Sequence, residues 1–177
     1  MKDHPPAQDR LLSTLKVLIV EDSAEMQRLL VALFASMGIG EAVCAASGEE
    51  GLALFGRGGF DIIITDGDMR PMDGYEMTRR IRALKEVGGD EVPVLMISGH
   101  RGKEIVERAR DEGVTDYIVK PVTAELLYER LLAAISRPIH LVQTNLYRGP
   151  SPTRRLTPRE ADVASASLHR ETAQKAD

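Results

Sequence analysis

From residue 16 onward the chain alternates short aliphatic and β-branched runs with longer stretches whose apolar positions recur every three or four residues. The strand-like runs are KVLIV (16–20), EAVCAA (41–46), DIIIT (61–65), VPVLMIS (92–98) and DYIV (116–119). Between them, SAEMQRLLVALFASMG (23–38) sets Met26, Leu29, Leu30, Leu33 and Phe34 on one predicted helical face and stops at Gly38. SGEEGLALFGRG (47–58) opens with Ser47 and Glu50 at capping-box spacing. GYEMTRRIRALKEVG (74–88), GKEIVERARDEG (102–113) and TAELLYERLLAAIS (123–136) complete the predicted helices. Five strands alternating with five helices predict an α/β fold, a doubly wound five-stranded parallel sheet with helices on both faces.

The pattern divides the chain into a lead (1–15), an α/β domain (16–136) and a tail (137–177). DRLLSTL in the lead carries Leu11, Leu12 and Leu15 as a short amphipathic patch. The sequence does not choose between its covering an edge of the domain and its joining a homodimer. The tail holds few large apolar residues beyond Tyr147; RGPSPTRRLTP reads as an extended linker. After it, Thr157, Pro158 and Glu160 predict the start of a short polar helix to about residue 174. If the tail packs on the domain or a partner, Leu141, Leu146 and Tyr147 are the residues to do it.

In open parallel sheets, ligands sit beyond the carboxyl ends of the strands. Here those ends carry Glu21, Asp22, Asp66, Ser98 and Lys120, and the second strand contributes nothing polar. Acidic groups gathered at one sheet edge repel one another unless something binds them. A hard cation such as Mg²⁺, held by a few carboxylates with waters and a phosphate oxygen, relieves that repulsion. A lysine and a hydroxyl at the same edge suit a transient phosphoryl group, Lys120 as a point charge and Ser98 through a hydrogen bond. Together these residues predict phosphoryl transfer onto an aspartate.

Charge narrows the partners. The net charge of −4 is the sum of −7 over residues 1–136 and +3 over 137–177. An acidic body argues against a nucleic-acid surface. Cys44 is the single cysteine, so no intrachain disulfide can form. The N-terminus lacks an apolar core for a signal peptide, and no apolar run approaches membrane-spanning length. These features predict a cytoplasmic protein without a membrane partner.

Four pieces in order, VLIVEDS, DIIITDGDMRPMDG, VLMISG and DYIVKP, resemble the receiver domain of bacterial two-component response regulators over about residues 16–136. The resemblance implies a flavodoxin-like sheet of order 2-1-3-4-5. It also implies that Asp66 is the phosphoacceptor, Asp22 a direct Mg²⁺ ligand, and Glu21 a ligand through water. The backbone carbonyl of Asp68 would complete the metal's protein ligands. Ser98 and Lys120 would bind the phosphoryl group, with Ser98 and Tyr117 as the switch pair and the Lys120–Pro121 bond cis. Asp68 and His100 occupy the family positions flanking the attacking water, so they would tune the site. Asp73 is left to cap the following helix. The implied protein is a single-domain regulator and not a turnover enzyme. A histidine kinase or histidine phosphotransfer protein would phosphorylate it, and a downstream protein would read it.

Two other readings stand beside this one. One is a receiver-like domain used only for docking. The other is a haloacid-dehalogenase-type phosphatase, whose D-x-D motif DGD resembles. In that family, however, the acidic metal pair follows the lysine, whereas here it precedes everything.

Overall fold

The computed structural model describes residues 7–136 together with 141–143 and 148–150. The elements run α1 (Ala7–Thr14), β1 (Lys16–Val20), α2 (Ala24–Ser36), β2 (Glu41–Ala45), α3 (Gly48–Phe55) and β3 (Ile62–Asp66). They continue with α4 (Gly74–Ala83), a 3-10 turn (Lys85–Val87), β4 (Val94–Ser98), α5 (Lys103–Asp111), β5 (Asp116–Val119) and α6 (Ala124–Ile135). The five strands form one parallel sheet in the order β2-β1-β3-β4-β5, as the resemblance implies.

Both faces of that sheet are covered, and the side-chain alternation shows how. Val17, Ile19, Ile62, Ile64, Leu95 and Ile97 point to one side and pack with Leu30 and Phe34 of α2 and Leu127 and Leu131 of α6. Their neighbours Leu18, Val20, Ile63 and Val94 point to the other, against Phe55 of α3 and Met77 and Ile81 of α4. A strand buried on both faces reads as an unbroken apolar run, which is why VLIV (17–20) and VLMI (94–97) lack polar positions. Leu29 is an exception to the predicted α2 face. It is 46% exposed, because Leu30 and Phe34 centre the buried stripe and turn Leu29 outward.

The helix starts follow the predicted capping chemistry. Ser47 accepts from the Glu50 amide at 3.2 Å, while the Glu50 carboxylate reaches back to the Ala46 amide at 2.7 Å. Asp73 caps α4 by accepting from the Glu76 amide at 2.7 Å.

A sixth helix, α1, was not among the predicted elements, and it belongs to the domain. Leu12 and Leu15 are buried in the same cluster as Val17 and Phe34, while Leu11 stays 45% exposed. The amides of Gly40 and Glu41 donate to the carbonyls of Leu12 and Leu15 at 3.1 and 3.0 Å, tying the helix end to the start of β2. A Cβ at Gly40 would stand 2.1 Å from the Ser13 carbonyl oxygen, so only glycine permits this approach. The core thus begins before the expected boundary at residue 16. Leu12→Ala is expected to lower stability by about 2–3 kcal/mol in urea unfolding, with Leu11→Ala within about 0.5 kcal/mol of the parent.

One buried cation ties the loops that feed β4 and β5. Arg82, on the inner side of α4, is 5% exposed. Its guanidinium donates to the carbonyls of Gly89 (2.8 Å), Val92 (2.7 Å) and Gly113 (2.7 and 2.9 Å). This bridge fixes where β4 and β5 begin, and hence how far their far ends reach.

Beyond Ser136, Leu141–Gln143 (β6) pairs antiparallel with Arg148–Pro150 (β7), so part of the expected linker is a strand. The helix expected at 158–174 and the residues Leu146 and Tyr147 lie outside the described residues.

Candidate functional site

The carboxyl ends of β1, β3, β4 and β5 meet at one edge of the sheet. Parallel pairing sets Asp66 beside Ile97 and Ser98 beside Val119, which brings the loops after these strands together. Glu21 and Asp66 are almost fully buried, at 2% and 7% exposure, and Ser98 is wholly buried. Asp22 is exposed at the mouth. One oxygen from each of Glu21, Asp22 and Asp66 lies within 4.8 Å of the others.

Lys120 enters this cluster from the end of β5. Its Nζ donates to Asp66 Oδ2 at 2.8 Å and to Glu21 Oε2 at 3.4 Å. The Lys120 amide donates to the Ser98 carbonyl at 2.8 Å, and the Lys120–Pro121 bond is cis as expected. Arg70–Pro71 is cis as well, which the sequence reading did not anticipate. The other Asp66 oxygen, Oδ1, accepts from the Asp68 amide at 3.1 Å.

The charges at this edge shift one another. Burial, and secondarily the Asp66 charge, pushes the Glu21 carboxyl above its ordinary range; the Ser23 amide and Lys120 pull the other way. Burial alone would lower the Lys120 ammonium, but its hydrogen bond and attraction to Asp66, with Glu21, outweigh that and raise it. One ammonium thus neutralises part of a buried acidic pair. The donor set is all oxygen and carries excess negative charge, which is the chemistry a hard divalent cation fits.

Asp68 and His100 stand on the other side of Asp66. The Ser98 hydroxyl donates to Asp68 Oδ2 at 2.8 Å, and the His100 amide donates to Ser98 Oγ at 3.1 Å. His100 Nδ1 lies 2.9 Å from the same Asp68 oxygen. Tyr117, half-buried on β5, donates its hydroxyl to the His100 carbonyl at 3.0 Å. The candidate metal, phosphoryl and switch side chains are therefore all at this edge, in two groups: Glu21, Asp22, Asp66 and Lys120, and Asp68, Ser98, His100 and Tyr117.

Three neighbours escaped the sequence reading. Tyr75 is 3% exposed, and its phenol is raised by burial first and then by a hydrogen bond to Tyr117. The Arg108 guanidinium from α5 lies 4.1 Å from the Tyr75 ring centroid and bonds Asp73 at 3.2 Å. Gly74 touches the end of β3 itself: a Cβ there would be 2.0 Å from the Asp66 carbonyl oxygen. Its amide also donates to the Gly67 carbonyl at 3.3 Å, closing the neck of the loop between them. The loop after β4 is less crowded at Gly99, where a Cβ would meet nothing within 4 Å, while Gly102 takes a φ of 130° that favours glycine. Of the three, only the glycine left a trace in the sequence, as part of the turn signal DG; the Tyr75–Tyr117 contact joins two residues 42 positions apart.

Comparison with known proteins matches this arrangement. Residues 17–132 match the response regulator receiver domain family. The chain is 36% identical over 121 residues to the chemotaxis protein CheY-3 of Vibrio cholerae, covering 68% of this chain and 92% of that one. It is 32% identical over 117 residues to the chemotaxis protein CheY of Pseudomonas aeruginosa, covering 66% and 93%. Among solved structures, the receiver domain of the P. aeruginosa sensor histidine kinase PA1611, with a magnesium ion in its active-site cleft, superposes with a TM-score of 0.64. It shares 28% identity and covers 70% of this chain and 98% of that one. The CheX–CheY complex of Borrelia burgdorferi with beryllofluoride and Mg²⁺ gives 0.62 at 28% identity, covering 67% and 87%. No described helix is long and apolar enough to cross a membrane. With its sheet order, its acidic edge and its lysine in place, this chain belongs to the receiver-domain family of two-component response regulators.

Proposed function

We propose that the chain is a single-domain response regulator that takes a phosphoryl group on Asp66 and signals through phosphorylation-dependent protein binding. The observation that carries this reading is the contact of Lys120 Nζ with Asp66 Oδ2 at 2.8 Å, inside a buried acidic cluster. Of the two cluster carboxylates that Lys120 reaches, Asp66 has the shorter contact, 2.8 Å against 3.4 Å for Glu21.

In this reading an Asp66 carboxylate oxygen attacks the phosphorus of a phosphohistidine or a small phosphodonor. The new P–O bond forms as the bond to the donor breaks, and the donor leaves with its electron pair. Asp22 and Asp66 would hold Mg²⁺ with the Asp68 carbonyl, and Glu21 would act through water. The ion would supply charge neutralisation for the phosphoryl oxygens. Lys120 exchanges part of its contact with Asp66 for a phosphoryl oxygen, and Ser98 donates to another. Loss of Ser98 from its present partners frees the loop after β4 and with it Tyr117. The affected surface is built by α5, β5 and α6, where a partner would discriminate the two states by population shift.

The upstream partner would be a histidine kinase or phosphotransfer protein, and the protein would act in the cytoplasm as a signalling element without substrate turnover. A docking-only role predicts no phosphoryl chemistry at all.

Intact-mass spectrometry separates the readings. After incubation with acetyl phosphate and Mg²⁺, one phosphoryl adduct per chain is expected. Removing the divalent ion with EDTA is expected to reduce labelling below about a tenth, because the acidic cluster then faces the incoming phosphate uncompensated. Absence of both an adduct and beryllofluoride binding would sink the phosphoryl-accepting function.

A further inference from the structure

We infer that the Asp68 carboxylate is a built-in competitor for the Ser98 hydroxyl, holding it off the phosphoryl position and so setting how readily Ser98 and Tyr117 switch. The inference rests on the phosphoryl-accepting reading above. A serine hydroxyl has one proton to donate. In this structure that proton goes to Asp68 Oδ2 at 2.8 Å, so it cannot also serve a phosphoryl oxygen on Asp66. The acceptor is a carboxylate, which makes the bond stronger than one to a neutral group.

The geometry makes the contact a latch that opens. Asp68 is half-exposed, with 42% of its side chain accessible, so water can replace Ser98 at little cost. His100 Nδ1 remains 2.9 Å from the same oxygen, so the carboxylate keeps a protein partner when Ser98 leaves. His100 also links the latch to the output side. Its amide holds Ser98 Oγ at 3.1 Å and its carbonyl accepts from the Tyr117 hydroxyl at 3.0 Å. Asp68 on the loop after β3, Ser98 at the end of β4, His100 just beyond it and Tyr117 on β5 form one connected set of hydrogen bonds. A ligand that needs Ser98 free binds with an affinity reduced by the fraction of molecules whose latch is open.

The test is a double-mutant cycle on the full chain with saturating Mg²⁺, using beryllofluoride as the phosphoryl mimic. The chain is labelled with 3-fluorotyrosine and followed by fluorine NMR, with the Tyr117 resonance identified in Tyr117→Phe. Asp68→Ala is expected to lower the beryllofluoride midpoint by about tenfold, on the scale of a lost hydrogen bond to a charged group. The Tyr117 resonance should also move toward its bound position before any mimic is added. Removing a negative charge would by itself favour an anion, so the decisive comparison is in the Ser98→Ala background. There the same Asp68→Ala change is expected to shift the midpoint by less than about twofold, since no hydroxyl remains to be released. Equal shifts in both backgrounds would mean charge repulsion alone and overturn the latch. A parent chain that fails to bind beryllofluoride with Mg²⁺ present would overturn the phosphoryl-accepting reading itself, and the latch with it.

Discussion

In an Asp66→Asn protein, incubation with acetyl phosphate and Mg²⁺ is expected to leave the intact mass unchanged, while the parent gains one phosphoryl group. The amide has nearly the same shape as the carboxylate but is neutral and a poor nucleophile, so the chemistry is lost without a hole in the packing. The fold should survive the change. Lys120 keeps Glu21 at 3.4 Å, and Glu21 loses the neighbouring charge that, after burial, pushes its carboxyl up. Circular dichroism and urea unfolding are expected to place the variant within about 1 kcal/mol of the parent. A stable adduct on the folded variant would move the phosphoacceptor to another carboxylate, with Asp68 and Asp22 the first to examine.

Arg82→Ala is expected to be the most damaging substitution to stability described here, at about 3–5 kcal/mol. The guanidinium donates to three backbone carbonyls from a nearly dry position. Alanine would leave those carbonyls without their donor and open a void the size of the lost side chain. Arg82→Lys should recover little, because an ammonium is a point charge and cannot span carbonyls at Gly89, Val92 and Gly113 at once. Urea unfolding of both variants provides the measurement. A loss below about 1 kcal/mol for Arg82→Ala would show that the loops feeding β4 and β5 hold themselves.

Much of this architecture was legible before the structure. The strands announced themselves because both faces of the sheet are covered, which forces runs such as VLIV and VLMI to be apolar throughout. Their order was another matter: hydrophobic pattern carries no information on which strand lies beside which, and 2-1-3-4-5 came with the motif resemblance. The residues of the acidic edge were legible because strand ends project their chemistry into loops, where Glu21, Asp22, Asp66, Ser98 and Lys120 interrupt apolar text.

What stayed hidden depended on contacts between distant residues. The helix at Ala7–Thr14 shows only Leu11 and Leu12 as large apolar residues, and its docking depends on the missing side chain of Gly40. TRRIRA offers three arginines, and only the period set by Met77, Thr78 and Ile81 marks Arg82 as the inward one. The bond from Ser98 to Asp68 joins the end of β4 to the loop after β3, 30 residues apart, so no local spacing could signal it.

The closed neck at Gly74 bears on how this sequence can drift over generations. Because any side chain there would drive into the carbonyl of Asp66, position 74 is barred to substitution by sterics alone, and the hydrogen bond to Gly67 fixes the loop length between them. A new side chain has room instead at Gly99, where a Cβ would meet nothing within 4 Å, whereas Gly102, at φ 130°, is held to glycine by its backbone. Descendants of this protein can therefore diversify the loop after β4 at Gly99 while the loop after Asp66 stays nearly invariant at position 74.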